Sequence, residues 1–591
     1  MYHKSNLRLT ILTTKYYLTM KIINQTLWGA CTLLMLAGSP AMHLSAQSLS
    51  SSTKWEWNKG TIVIQTPERE AGQEPVIGLT APKMEVVRVG FVGLGMRGPG
   101  AVERFTYIPG TAIVALCDHE KERAEACQKY LRKACLPEAA VYSGAEGYKE
   151  LCERTDIDLV YIAADWDHHF PIAEYAMQHG KHVAIEVPSA MNLEQCWKLI
   201  DLSEKNRKHC FILENCCYDW FEMNTLNMAQ QGVFGEVIRA QGAYIHNLDD
   251  FWNYYWKNGK EDKLGWRLRY NKENRGDVYA THGLGPVAQA LDIHRGDRMK
   301  TLVAMDTKSV HGKALVERAT GEKCEEFRNG DHTTTLIRTE NGKVIEIQHN
   351  VMSPQPYNRL YQLTGTKGFA NKYPVEGYAV DAAQMKASGV QPQVDNLSTH
   401  SFLPKKEMDA LVEKYQHPIL KKYGEMAKEV GGHGGMDFIM DSRLVYCLQN
   451  GLPLDMDVYD LAEWCALAEL GAISMDNGCA AVAFPDFTRG HWNEVKGYTH
   501  AFAAPADEAK AELAAETATL TLKTQAMKGW MDALKKARTE VPAEELAART
   551  DQLNKQLQRV MEKAGEKPEK KQNEAINQAK KVLKQAVKLK K

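Results

Sequence analysis

Five short apolar runs, Arg88–Val92, Ile113–Leu116, Leu159–Ala163, His182–Ile185 and Cys210–Leu213, alternate with amphipathic stretches. Runs of strand length with no polar alternation belong to strands buried on both faces, which predicts a parallel sheet covered by helices. From about Asn215 the pattern changes. Gly235–Ile245, Thr333–Arg338 and Val344–Asn350 read as longer strands of an open antiparallel sheet, and Phe438–Asn450 and Tyr459–Ser474 read as helices. The expected fold is therefore an α/β doubly wound domain over residues 85–214, followed by an α+β domain over 215–500. Residues 47–84 are rich in Ser, Thr and charge, with one alternating stretch at Gly60–Gln65, and read as a linker or an arm lying on the body. Beyond Pro505, Ala, Lys, Glu and Gln dominate, and Leu553, Leu557 and Val560 fall at helical spacing, which predicts a helical extension over 505–591. Its lysine-rich end reads as a solvated face or as one that meets an acidic surface or polymer, a partner the sequence does not name.

A chain of 591 residues exceeds one ordinary core. Its formal net charge of -1 provides no field to collect the phosphates of a nucleic acid. The thirteen cysteines form no CxxC pair and no zinc-type spacing with histidine, so no metal is expected. Read from Met20, the N-terminus has Lys21, an apolar stretch Leu27–Ala37 and a small-residue site at Leu44-Ser45-Ala46. These are the three parts of a secretory signal within residues 1–46, too short to span a bilayer, and they predict export to the periplasm or beyond.

The first apolar run leads into a GxGxxG turn at Gly93, Gly95 and Gly98, and the second ends near Asp118. Strand, glycine turn, helix and acid in this order form a dinucleotide site. The glycines let the backbone approach a pyrophosphate at a helix N-terminus, and the carboxylate holds the ribose hydroxyls of NAD. Farther along, Tyr218 lies just past a strand, at the edge where parallel sheets place ligands. His282 follows Gly276-Asp277-Val278-Tyr279-Ala280-Thr281 and precedes a Gly-Leu-Gly-Pro helix start that could hold its imidazole toward a cleft, although a single histidine is more often a satisfied polar residue. Adjacent His168 and His169 cannot easily chelate one ion, and their place past a strand favours cofactor contact. Phe251, Trp252, Tyr254, Tyr255 and Trp256 read as a sugar-stacking wall, core packing or an interface.

The segment Leu159–Pro188 resembles the Gfo/Idh/MocA oxidoreductases, in which a Rossmann domain precedes an open-faced sheet. Where those enzymes usually carry Glu-Lys-Pro, with lysine in acid–base transfer, this chain has Glu186-Val187-Pro188. A closer resemblance covers Met84 to Trp492. The strings GLGMRG, WDHH, EVP, ENCCY, YATHGLGP, LDIHRGDRM, SPQPY and GTKGFANKYP resemble glycoside hydrolase family 109, the NAD-dependent α-N-acetylgalactosaminidases. The resemblance implies NAD contacts from Met96, Arg97, Asp118, Trp166, Asp167, His168, His169, Glu186, Val187 and Asn215, beside Gly93 and Gly95. It implies substrate contacts from Tyr244, Arg267, Tyr279, His282 and Tyr357.

It further implies a glycosidase in which NAD is held tightly and recycled. Oxidation at C3 of the sugar acidifies the C2 hydrogen, the C1 substituent leaves by elimination, water adds, and C3 is reduced again. Tyr218 is assigned the C2 proton and His282 the C3 hydroxyl, with the two roles open to exchange. A sugar dehydrogenase releasing NADH and a carbohydrate-binding protein with structural NAD are the alternatives. A glycan or small glycoside is the expected partner, and an exposed sheet face leaves room for a homo-oligomer.

Overall fold

The structure, a computed structural model, describes residues 53–252 and 262–497. The signal segment, Tyr254, Tyr255, Trp256 and the helical extension at 505–591 lie outside the described residues. The described residues open with a hairpin, β1 (Trp55–Asn58) and β2 (Thr61–Ile64). The five predicted buried strands follow as β3 (Val87–Val92), β4 (Thr111–Asp118), β6 (Leu159–Ile162), β7 (His182–Ile185) and β8 (Cys210–Ile212), with β5 (Ala140–Ser143) as a sixth strand that the pattern did not predict. They pair in parallel in the order β5-β4-β3-β6-β7-β8. Every residue of β6, β7 and β8 is buried, as expected for strands sandwiched between two helical layers.

The second sheet adds β9 (Val237–Ile245), β10 (Met299–Asp306), β11 (Thr333–Thr339), β12 (Val344–Asn350), β13 (Tyr361–Gly365), β14 (Gly368–Asn371), β15 (Gly377–Val380) and β16 (Ala481–Ala483). Ten strands run in the order β1-β2-β16-β10-β11-β12-β9-β13-β14-β15. The sheet is mixed rather than purely antiparallel, because β12 lies parallel to β9 and β16 lies parallel to β2. On β11 the residues Thr333, Thr335, Ile337 and Thr339 are buried, while Leu336 and Arg338 are exposed, so one face is covered and the other open. The cover over β9 is the helix Thr281–Ala290, and it lies very close: a Cβ on Gly242 would sit 2.0 Å from the carbonyl oxygen of Gly283. Two facing glycines thus set His282, beside Gly283, hard against the sheet.

The Gly60–Gln65 stretch does not merely rest on the body; as β2 it becomes a strand of the second sheet. The arm after it is fastened by Arg69, which donates to Glu204, a buried carboxylate also bonded by Arg489 and Tyr459. The helical stretch expected at Tyr459–Ser474 divides into Val458–Cys465 and Leu467–Asp476, the first begun by a reciprocal cap between Asp457 and Asp460. Among the described residues, no helix is long and apolar enough to cross a membrane.

Candidate functional site

At the carboxyl end of β3 the chain turns at Gly93 with φ +90°, and a Cβ there would lie 2.3 Å from the backbone nitrogen of Ala164. A Cβ on Gly98 would lie 2.0 Å from the carbonyl oxygen of Gly93, whereas one on Gly95 would meet only Arg123, at 3.9 Å. Gly93 and Gly98 therefore hold the turn tight against the strand and the following helix, and Gly95 keeps the backbone open to a ligand. Asp118, at the end of β4, accepts from the Leu94 amide at 2.6 Å and the Glu120 amide at 2.9 Å, which aims its carboxylate at the same turn. Arg123 lies 3.4 Å from it. Turn, helix N-terminus and carboxylate fit a dinucleotide.

Arg97, just past the turn, is anchored on both sides. It donates to Glu186 at 3.0 Å and to Asp437 at 3.3 Å, and Asp437 also accepts from the Asn215 amide at 2.6 Å. Although burial opposes ionisation of Asp437, Arg97, His433 and Arg104 hold its carboxyl far below the usual carboxylate range. Met96 is exposed, Asp167 and His168 lie on the outer side of the helix Trp166–Gln178, and His168 meets Asp165 at 2.6 Å. His169 is turned inward, its ring nitrogens 2.8 Å from the Pro188 carbonyl and 2.9 Å from that of Ala164. Its imidazole staples the helix to the Val187-Pro188 turn.

Beyond Trp166 the side chains form a continuous chain of contacts. The Trp166 ring lies 5.9 Å from that of Tyr279, and the Arg267 guanidinium sits over both rings, at 5.0 and 4.4 Å. Tyr279 is 4.7 Å from Tyr244 and 4.8 Å from His282. On the far side, Arg359 lies over Tyr244 at 4.4 Å and over half-exposed Tyr357 at 5.4 Å. The structure thus brings together Trp166, Tyr244, Arg267, Tyr279, His282 and Tyr357 from segments nearly 200 residues apart.

His282 is the chemical centre of this wall. Its Nδ1 lies 2.6 Å from Oε1 of Glu214, which is fully buried at the end of the β8 segment. Burial and the neighbouring Arg359 cation push the imidazole down to about 4. Burial alone would raise Glu214, but the interactions with His282, Thr281 and the Cys216 amide outweigh it and hold the carboxyl below its ordinary value. At neutral pH the pair is therefore carboxylate and neutral imidazole. Nδ1 carries the proton toward Glu214, and the Nε2 lone pair is left as a proton acceptor.

Tyr218 is not part of this arrangement. Its hydroxyl donates to Asp455 at 3.2 Å, and Asp455 is held by two bonds from Arg443 at 2.8 and 2.7 Å. Burial and the Asp455 charge push the phenol well above its ordinary value, the opposite of what a base requires. Two trios, Glu214–Cys216–His282 and His294–Asp460–Glu463, bring ligand-type atoms together. Protein bonds already knit both: a 2.6 Å contact between His282 and Glu214 leaves no room for an ion, and Arg295 occupies Asp460.

Residues 87–213 match the domain described as oxidoreductase family, NAD-binding Rossmann fold, and residues 218–494 match glycosyl hydrolase 109, C-terminal domain. Glycosyl hydrolase family 109 protein 5 of Phocaeicola vulgatus is 79% identical over 492 residues, covering 83% of this chain and 95% of that protein. The chain belongs to glycoside hydrolase family 109. Family 109 protein 4 of the same organism is 76% identical over 504 residues, covering 85% of this chain and 97% of that one. Levoglucosan dehydrogenase, solved with NADH and levoglucosan, is similar at 17% identity with a TM-score of 0.49, covering 68% of this chain and 100% of that one.

Four residues of this family 109 hydrolase were not among the sequence expectations: Glu214, Arg359, His433 and Asp437. Glu214 carries a usable signal, a carboxylate directly after a wholly apolar strand. Arg359 lies two residues past Tyr357 and so shared its neighbourhood in sequence. Asp437 and His433 carry no local signal, because only the packing of the helix Met436–Asn450 on the Rossmann domain brings them to Arg97.

Proposed function

We propose that this family 109 hydrolase removes terminal α-N-acetylgalactosamine from glycans or small glycosides, using NAD with no net redox change. The observation that carries the reading is the buried Glu214–His282 pair set in a wall of arginine and tyrosine beside the dinucleotide turn. NAD bound at Gly93–Asp118 supplies reversible oxidation at C3 of the sugar. His282 Nε2 accepts the C3 hydroxyl proton, Glu214 stabilises the resulting imidazolium, and on the return step the same nitrogen gives the proton back. Arg267 and Arg359 polarise oxygens of the sugar or its acetamido group, and Tyr244, Tyr279 and Tyr357 provide ring faces and hydroxyl donors.

The C2 proton requires a second base, because one imidazole nitrogen cannot hold both protons. Tyr218, the expected candidate, reaches that role only by releasing Asp455. A dehydrogenase reading is disfavoured by Val187, which stands where the oxidoreductases carry an ammonium. We further propose that the chain is exported, where a cofactor held and recycled within each turnover needs no external supply.

The test is incubation with p-nitrophenyl α-N-acetylgalactosaminide while nitrophenol and NADH are followed together, in deuterated water. Nitrophenol release without net NADH, with deuterium at C2 of the released sugar, is the expected result. NADH produced in proportion to sugar consumed overturns it in favour of a dehydrogenase.

A further inference from the structure

Behind the wall sits a second pair of titratable groups that the reaction above does not use. Asp277 lies in the loop that carries Tyr279 toward His282, and His349 lies on β12 directly opposite Tyr244 of β9. Both are buried, with 2% of each residue exposed. No side chain and no cation hydrogen-bonds Asp277, whose carboxyl has only the Tyr279 backbone amide beside it, and Nε2 of His349 has no partner; Asp277 Oδ1 is 3.8 Å from that nitrogen. The imidazole stacks on the Tyr244 ring at 5.9 Å and 23°. The charged or titratable groups facing the pair are Tyr244 on β9, Tyr279 in the loop, Arg267 on the helix Trp266–Glu273 and His332 before β11.

A buried carboxylate with neither a cation nor a side-chain donor beside it is costly, whereas a carboxylic acid needs only one acceptor for its proton. The Nε2 lone pair is such an acceptor, and a side-chain shift of about 1 Å closes 3.8 Å to hydrogen-bond length. Burial favours the same protonation states, lifting Asp277 to about 8 and, with Arg267, lowering His349 to about 3.

We propose that Asp277 is a carboxylic acid whose proton is held toward His349 Nε2, and that this neutral pair is the stay that positions the Tyr244–Tyr279 wall for sugar binding. The proton assignment stands by itself; the positioning role rests on the sugar-binding reading of the wall. His349 braces Tyr244 from behind through the stacked rings, and Asp277 braces Tyr279 through the backbone two residues away. Both are positioning residues.

The proton is tested by difference infrared spectroscopy of the full chain at pH 6, wild type minus Asp277→Asn. A protonated-carboxyl carbonyl band that shifts in deuterated water is expected, and its absence overturns the proposal. Positioning is tested by calorimetric binding of N-acetylgalactosamine to the NAD-loaded protein. Asp277→Asn, which keeps a neutral donor, should bind within about threefold of wild type, whereas Asp277→Leu and His349→Phe should each lose about tenfold. Equal losses in Asp277→Asn and Asp277→Leu overturn the neutral-donor pair. A wild-type protein that shows the infrared band but no affinity for this sugar overturns the positioning role together with the substrate reading, leaving the proton assignment intact.

Discussion

The two halves of the site position a ligand with different materials. At the end of β3 the work is done by main chain: a left-handed glycine, a helix N-terminus and one carboxylate bonded to two amides. Along the helix Thr281–Ala290 it is done by side chains, with Arg267, Tyr279, Tyr244, His282 and Arg359 each held by the next. A main-chain site depends on a few positions where a side chain cannot exist. A side-chain site can fail at each of its members, and by amounts that differ with their chemistry.

The largest effect should come from the centre of the side-chain half. His282→Ala removes the proton acceptor and should lower kcat by about 10² to 10⁴ while NAD affinity, followed by cofactor fluorescence, stays within a few-fold. Glu214→Gln keeps the shape but loses the charge that stabilises the imidazolium, and should cost about 10² in kcat with KM little changed. In the main-chain half, Gly93→Ala places a Cβ 2.3 Å from a backbone nitrogen at φ +90°. It should reduce NAD binding about tenfold or more and cost about 1–3 kcal/mol of stability, read by calorimetry and denaturant unfolding.

A smaller effect tests Asp277. Its folded value is raised by burial to about 8, so between pH 4 and 8 the native state binds the proton more tightly than the unfolded chain. Its contribution to stability is present below pH 4 and is lost as pH rises toward 8. Denaturant midpoints of wild type should accordingly fall relative to Asp277→Asn over that range; parallel curves would contradict the assignment. The smallest effect is expected from Tyr218→Phe, where loss of one bond to Asp455 should cost about 1 kcal/mol in the same unfolding measurement.

The same division explains what could be read from sequence. Gly93, Gly95, Gly98 and Asp118 act within one strand–turn–helix–strand unit, so their spacing along the chain is also their spacing in space. The boundaries of β6 and β7 were legible for a related reason: strands buried on both faces are apolar throughout. The partners of His282 were not legible by spacing, because Glu214 is 68 residues from it and meets it only once β8 and the helix Thr281–Ala290 are packed. Resemblance to the family supplied Tyr244, Arg267, Tyr279 and Tyr357 as a set, yet it gave no sign that Tyr218 would be tied to Asp455. The parallel pairing of β12 with β9 was equally hidden, since a half-buried strand alternates in the same way whichever direction its neighbour runs.

The hairpin at Trp55–Ile64 has a consequence for how the chain is made. β2 pairs in parallel with β16, Ala481↔Thr61 and Val482↔Ile62, so a strand near the start of the described chain needs one near its end. Synthesis proceeds from the N-terminus, and the ribosome must deliver about four hundred residues between them before this ladder can close. The Rossmann sheet, whose strands all lie within Val87–Ile212, can be complete long before that. Until Ala481–Ala483 emerges, β2 waits with an unmatched edge, and the last of the described strands to leave the ribosome is the one that seals it.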